Sequence, residues 1–292
     1  MDDRMLKQDK SLRNFFIISY LIPIAATLLV TLKYGWLTDN AVRQLGATTI
    51  VVMMAMVHAP TIAAMLVAYR QDGFEGIKNL FRQLKYWRYK SSWYLRALLI
   101  FPLSILAALL SMTLLFEGFA PILSLNFLAG ANLISAFWEE IGWTGYATPR
   151  MLKRFSPLKA AITLGVIHTF WHLAADYWGS GVFYGTLSRY AAHFTLWIAG
   201  LTALRIITMW IYVRTKSLVL GWLTHFSYTG GQVLLVSSLS PVETLQWNSA
   251  FIVLLIFVMA YLYTSNEDFR AFWKSGIIEG MQLERTGAIA LD

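Results

Sequence analysis

The sequence predicts an all-α membrane protein of about eight transmembrane helices, and three observations carry the prediction. Hydrophobic residues make up 57% of the 292 and charged residues 14%, whereas a soluble domain carries about a quarter charged residues. Apolar runs of the length that crosses a bilayer core as a helix, about 20 residues, succeed one another with short connections. Lys and Arg gather in every second connection, the pattern expected of cytoplasmic loops. A mean hydropathy of +0.54 agrees with all three.

The runs fall at Asn14–Lys33, Gln44–Tyr69, Trp93–Leu115, Ala120–Trp138, Leu158–Tyr177, Tyr190–Val213, Leu218–Ser238 and Trp247–Thr264. Pro23, Pro60 and Pro102 lie within or near the first three, where neighbouring helices can satisfy the backbone groups that proline frees. The first run is too long for the core of a signal peptide and no small-residue cleavage pattern follows it, so it is expected to stay as an anchor.

Loop charge sets the topology. Arg4, Lys7, Lys10 and Arg13 precede the first run, and Arg70, Lys78, Arg82, Lys85, Arg88 and Lys90 separate the second from the third. Arg150, Lys153, Arg154 and Lys159 follow the fourth, Arg214 and Lys216 the sixth, and Arg270, Lys274 and Arg285 the eighth. The alternate connections hold only Arg43, Arg189 and Lys33. Both termini are therefore expected in the cytoplasm, with the chain as an integral multi-pass membrane protein. The net charge of +8 follows from this distribution, which offers no continuous tract for nucleic acid.

Between the second and third runs, Ile77, Leu80, Phe81, Leu84 and Trp87 recur at helical spacing, with Lys78, Arg82, Lys85 and Arg88 on other faces. They predict a basic amphipathic helix lying on the inner leaflet among membrane lipids. No connection has room for a soluble module, so residues 1–292 are read as one integral membrane domain. The absence of cysteine excludes disulfides, thiolate zinc sites and cysteine nucleophiles. A metal would need histidine and carboxylate ligands.

Polar residues inside apolar runs are the functional candidates. An ionised carboxylate at the centre of a spanning helix costs about 2.5–3.5 kcal/mol, yet Glu139 and Glu140 stand side by side after Phe137 and Trp138. Adjacent helical residues point about 100° apart, so one acid can act while the other supports it. The plainer reading puts both at the membrane edge, paired with Arg150 or Lys153; the small residues Gly142 and Gly145 that follow favour close helix packing and a site. His168 and His172 are four apart and share a helix face, a zinc-like spacing without the glutamate of the zincin motif. His225 is followed by Ser227, Tyr228, Thr229 and two glycines, which suits a polar pocket. His58 and His193 read as hydrogen-bonded packing residues.

Together these residues resemble the CPBP intramembrane proteases, also called the CAAX protease and bacteriocin-processing or Abi group. Glu139 and Glu140 match the family's first motif, with Thr144 where arginine is usual. His172 matches the second, with His168 at its phenylalanine position, and His225 the third, with Thr229 at its asparagine position. The motif-bearing core spans about residues 120–238, and Ala59, Pro60 and Thr61 with the stretch from Gly73 to Leu99 are similar to the amino-terminal half of bacterial members.

The resemblance implies an intramembrane endopeptidase acting on a membrane-associated peptide or protein. Glu139 would activate water with His172, His225 would stabilise the oxyanion, Glu140 would orient, and Thr229 would offer a hydroxyl in place of an amide. Thr144 would leave Glu140 without its expected counter-ion, for which Arg150 is the candidate substitute. Glu139, His172 and His225 could instead hold zinc with an open water position. Two other classes remain: a non-catalytic immunity or scaffold protein keeping the fold, favoured by Thr144 and Thr229, and a small-solute transporter, disfavoured by the lack of repeats. Oligomeric state is not encoded in any feature of the chain.

Overall fold

The apolar runs are helices in the computed structural model, which describes residues 3–34, 46–117, 119, 127–236 and 239–277. Ten α-helices are described: α1 Asp3–Tyr34, α2 Gly46–Arg82, α3 Ser91–Leu115, α4 Phe127–Glu140, α5 Thr148–Met151, α6 Pro157–Tyr184, α7 Leu187–Thr215, α8 Leu218–Leu235, α9 Pro241–Ser265 and α10 Glu267–Lys274. Among the described residues there is no strand. Arg43, Gln44, Ala120, Ser238 and Arg285 lie outside them.

The all-α membrane class holds. Five helical stretches are long and apolar enough to cross a membrane: Lys10–Lys33, Val52–Lys85, Ser91–Leu115, Leu187–Thr215 and Pro241–Ser265. The helices bearing the sequence motifs, α4, α6 and α8, are not among these five, so the described residues supply five of the eight expected spans.

Burial separates inner helices from outer ones. In α7, 72% of the apolar window is buried, against 22% in α1 and 17% in α9, so α7 is central and the other two present leucine, isoleucine and aromatic side chains outward. Leu28, Leu29 and Leu32 of α1 and Ile256, Phe257 and Tyr261 of α9 are exposed, an apolar belt that lipid would cover. Helix α6 packs along α7, α1 along α2, and α3 and α4 both along α8.

Two local features shape the end that bears the basic connections. Helix α2 breaks at Asp72 and Gly73, and Gly73 takes a positive φ of 60°, which costs glycine little and other residues more. Beyond the break lies the expected amphipathic segment, with Lys78, Arg82 and Lys85 outward. Its apolar face is turned to the protein: Leu80 is in the main core, with Phe81 and Leu84 packed against it. The reason is that the segment can bury these side chains on the bundle, and of the expected face only Trp87 stays exposed.

The α7–α8 turn is tied to this end by hydrogen bonds. Tyr89 Oη donates to Thr215 O. Ser217 Oγ donates to Tyr86 O at 2.5 Å and accepts from Leu220 N as the N-cap of α8. The same turn thereby fixes the start of the helix that carries His225.

Candidate active site

Helix α4 ends on Glu139 and Glu140 and passes directly into one wide π-helical turn, Ile141–Ala147. Such turns are rare and cluster at functional sites. All seven of its residues are buried. Its path lies against α2: a Cβ on Gly142 would sit 2.5 Å from backbone atoms of Pro60, and Thr61 Oγ1 donates to Trp138 O. Only glycine lets the two backbones approach so closely.

The two glutamates meet different surroundings, as their divergent directions require. Glu140 is fully buried and its four acceptor positions are filled. Oε1 accepts from Arg205 Nη2 at 2.7 Å and from His225 Nδ1 at 2.8 Å. Oε2 accepts from Arg205 Nη1 at 3.0 Å and from Thr144 Oγ1. A bidentate guanidinium–carboxylate pair with added donors is the geometry that offsets the desolvation of two buried charges.

Arg205 is the residue that sequence reasoning missed. It stands in the middle of α7, 1% exposed, and supplies the counter-ion that Thr144 cannot. Arg150 lies elsewhere: it stacks on Tyr146, 3.6 Å from the ring centroid, and bonds Tyr146 O and Gln71. The signal for Arg205 was present, since an arginine inside a spanning helix is a site candidate by default. Space explains the exchange. Gly221 packs on Thr144, where even an added Cβ would meet Thr144 Cγ2 at 3.0 Å, so a larger side chain at 144 has no room in this arrangement.

Arg205 also faces His168. Its Nε and Nη2 lie 3.3 and 3.2 Å from His168 Nδ1, and because guanidinium only donates, Nδ1 must accept. The ring proton then sits on Nε2, 3.1 Å from Glu139 Oε2, and donates to that carboxyl. Arg205 thus pins a tautomer of His168, and His168 pins Glu139.

Glu139, His172, His225 and Thr229, four of the five expected site residues, line one cavity of about 370 Å³; Glu140 stands behind it. Val52, Met53 and Met56 of α2 with Trp197 and Leu201 of α7 give it an apolar wall, while Asn132 and Gln232 bring carboxamides. His172 is half-buried, its ring 5.0 Å from His168 and 5.0 Å from Trp197. Thr229 Oγ1 donates to His225 O at 3.2 Å. His58 bonds Met54 O and packs on Trp138, and His193 pairs with Asp176 and Tyr184, both as packing residues.

One group of potential metal ligands is present among the described residues: Glu139, His168 and His225, with ligand atoms within 4.8 Å of one another. By spacing this buried group could hold a metal ion, with His168 rather than His172 as its second histidine. The hydrogen bonds do not fit the ion so well. A ligating histidine normally donates its second ring N–H to an acceptor, and His225 does so to Glu140. His168 instead turns its second nitrogen to a donor, Arg205, so metal on Nε2 would leave its ring without a proton.

Residues 121–230 match the family model of the Type II CAAX prenyl endopeptidase Rce1-like proteins. A CAAX prenyl protease 2 from Methanococcus maripaludis is 29% identical over 104 residues, which is 35% of this chain and 38% of the relative's own length. The matched stretch holds Glu139, Glu140, His168, His172, Arg205, His225 and Thr229, and over it the chain is similar to the CAAX-type intramembrane proteases, spanning little more than a third of that relative.

Proposed function

We propose that the protein is an intramembrane endopeptidase in which Glu139 is the general base. The observation that carries this reading is the asymmetry of the pair: Glu140 has no acceptor position to spare, while Glu139 lines the cavity with one oxygen committed to His168. Its other oxygen is the one offered to a water.

Glu139, as carboxylate, takes a proton from a water that His172 helps to position, and the hydroxide adds to the scissile carbonyl carbon. His225 faces the resulting oxyanion. With Nδ1–H held by Glu140, it donates from Nε2 only as imidazolium, and Glu140 is the anion that partners this form. Thr229 adds its hydroxyl once that proton leaves the His225 carbonyl. Collapse of the tetrahedral intermediate breaks the C–N bond as Glu139 passes its proton to the departing amine. His168 and Arg205 hold Glu139 in place.

No step is routed through a metal, because the proton count at His168 disfavours ligation by that ring. Activity is expected to survive a strong chelator; its loss, with recovery on added zinc, would restore the metal reading. The apolar wall beside the polar groups suits a peptide bearing a hydrophobic segment, presented within a bacterial cytoplasmic membrane. A second reading, a non-catalytic immunity or scaffold protein, draws on Thr144 and on the internal hydrogen bond of Thr229. The two separate by expressing wild type, Glu139→Ala and His225→Ala at equal membrane levels and comparing peptide products by mass spectrometry. Products lost in both variants support catalysis; identical profiles support the second reading.

A further inference from the structure

A second cavity, of about 270 Å³, lies at the end of the bundle that bears the basic connections and shares no lining residue with the catalytic one. Its walls come from the segment beyond the α2 break, the π-turn with the residues just after it, and the end of α7. Arg150 and Lys216 line it together with Asn79 and Gln83. Gln83 ties the walls together, its Nε2 donating to Gly145 O at 2.9 Å and its Oε1 accepting from Tyr212 Oη at 3.4 Å. The space is several times the roughly 30 Å³ of one water, enough for a polyatomic ion.

Lys216 is placed there against backbone preference. It caps α7 with a φ of 56°, the left-handed position that glycine usually fills after a helix. It also directly follows the apolar stretch Leu187–Thr215, so the cavity lies at the end of a helix long and apolar enough to cross a membrane. Arg150 makes two side-chain hydrogen bonds at Tyr146 and Gln71, fewer than the five N–H donors of a guanidinium.

We propose that this cavity binds a phosphate group, held by Arg150 and Lys216 as cations and by the neighbouring amides. The charged and titratable groups lining it are Asp72, Tyr86, Tyr146, Arg150, Tyr212 and Lys216, two cations against one carboxylate. Burial pushes the Lys216 ammonium down to about 7, so an anion that binds the charged form must bind less well as pH rises through neutrality. A lipid phosphodiester keeps its single charge over that range, and the pH dependence then belongs to the protein.

The test uses the full chain in detergent, titrated separately with short-chain phosphatidylglycerol and with inorganic phosphate, reading the rise in unfolding midpoint. A saturable rise is expected, and whichever probe gives it identifies the source as headgroup or free phosphate. Lys216→Gly, which relaxes the backbone while removing the ammonium, and Arg150→Gln should each weaken half-saturation about tenfold. Lys216→Arg should retain binding and lose the dependence seen in wild type between about pH 6 and about pH 9. No saturable rise with either probe, or equal half-saturation in wild type and Lys216→Gly, would overturn the proposal.

Discussion

In the proposed mechanism two neighbouring glutamates divide the work, since Glu140 is filled by Arg205, His225 and Thr144 while Glu139 lines the cavity. Glu139→Gln is therefore expected to remove about 10²- to 10⁴-fold of turnover with little change in folding. Glu140→Gln or Arg205→Met should instead destabilise by about 3–5 kcal/mol, since each leaves a buried charge without its partner. Replacing both Glu140 and Arg205 by methionine should cost less than the sum of the single changes, measured as unfolding midpoints in detergent. A double variant that merely adds the two losses would contradict the pairing. At this scale the sequence exposes Glu139, Glu140 and His225 as polar residues in apolar runs. Arg205 obeys the same rule, but its pairing with Glu140 is set by how α7 faces the end of α4 and leaves no mark in the sequence. His168 was legible as a departure from the family pattern; its bond to Glu139 was not, since it depends on how α4 and α6 face each other.

The helices themselves are legible from apolar length. Leu218–Ser238 was expected and α8 spans Leu218–Leu235; Trp93–Leu115 was expected and α3 spans Ser91–Leu115. The π-turn at Ile141–Ala147 was not, because its widened hydrogen-bond ring leaves no periodic trace over seven residues and is enforced by the contact with α2. Gly142→Ala tests that contact. With its Cβ 2.5 Å from Pro60 backbone, the variant should lose at least about 1–3 kcal/mol, read as a lower unfolding midpoint, together with reduced activity as the glutamates shift. An unchanged midpoint would mean that α2 does not press on the turn. The amphipathic segment after Gly73 teaches the converse: its periodicity was right, and its burial partner was the bundle.

For the whole molecule, membrane class follows from composition and topology from loop charge, and neither depends on the site. The absence of native cysteine makes the topology directly measurable. Lys153→Cys, between α5 and α6, and Ser188→Cys, at the start of α7, should react with a membrane-impermeant maleimide from opposite faces; labelling from one face would contradict alternating spans. The central claim is that Glu139 does the chemistry and Glu140 the holding. It is tested most directly by comparing purified wild type and Glu139→Gln for both unfolding midpoint and cleavage products of membrane peptides by mass spectrometry. The account predicts matching midpoints with cleavage lost in the variant; a Glu139→Gln protein that folds and cleaves as wild type does would contradict it.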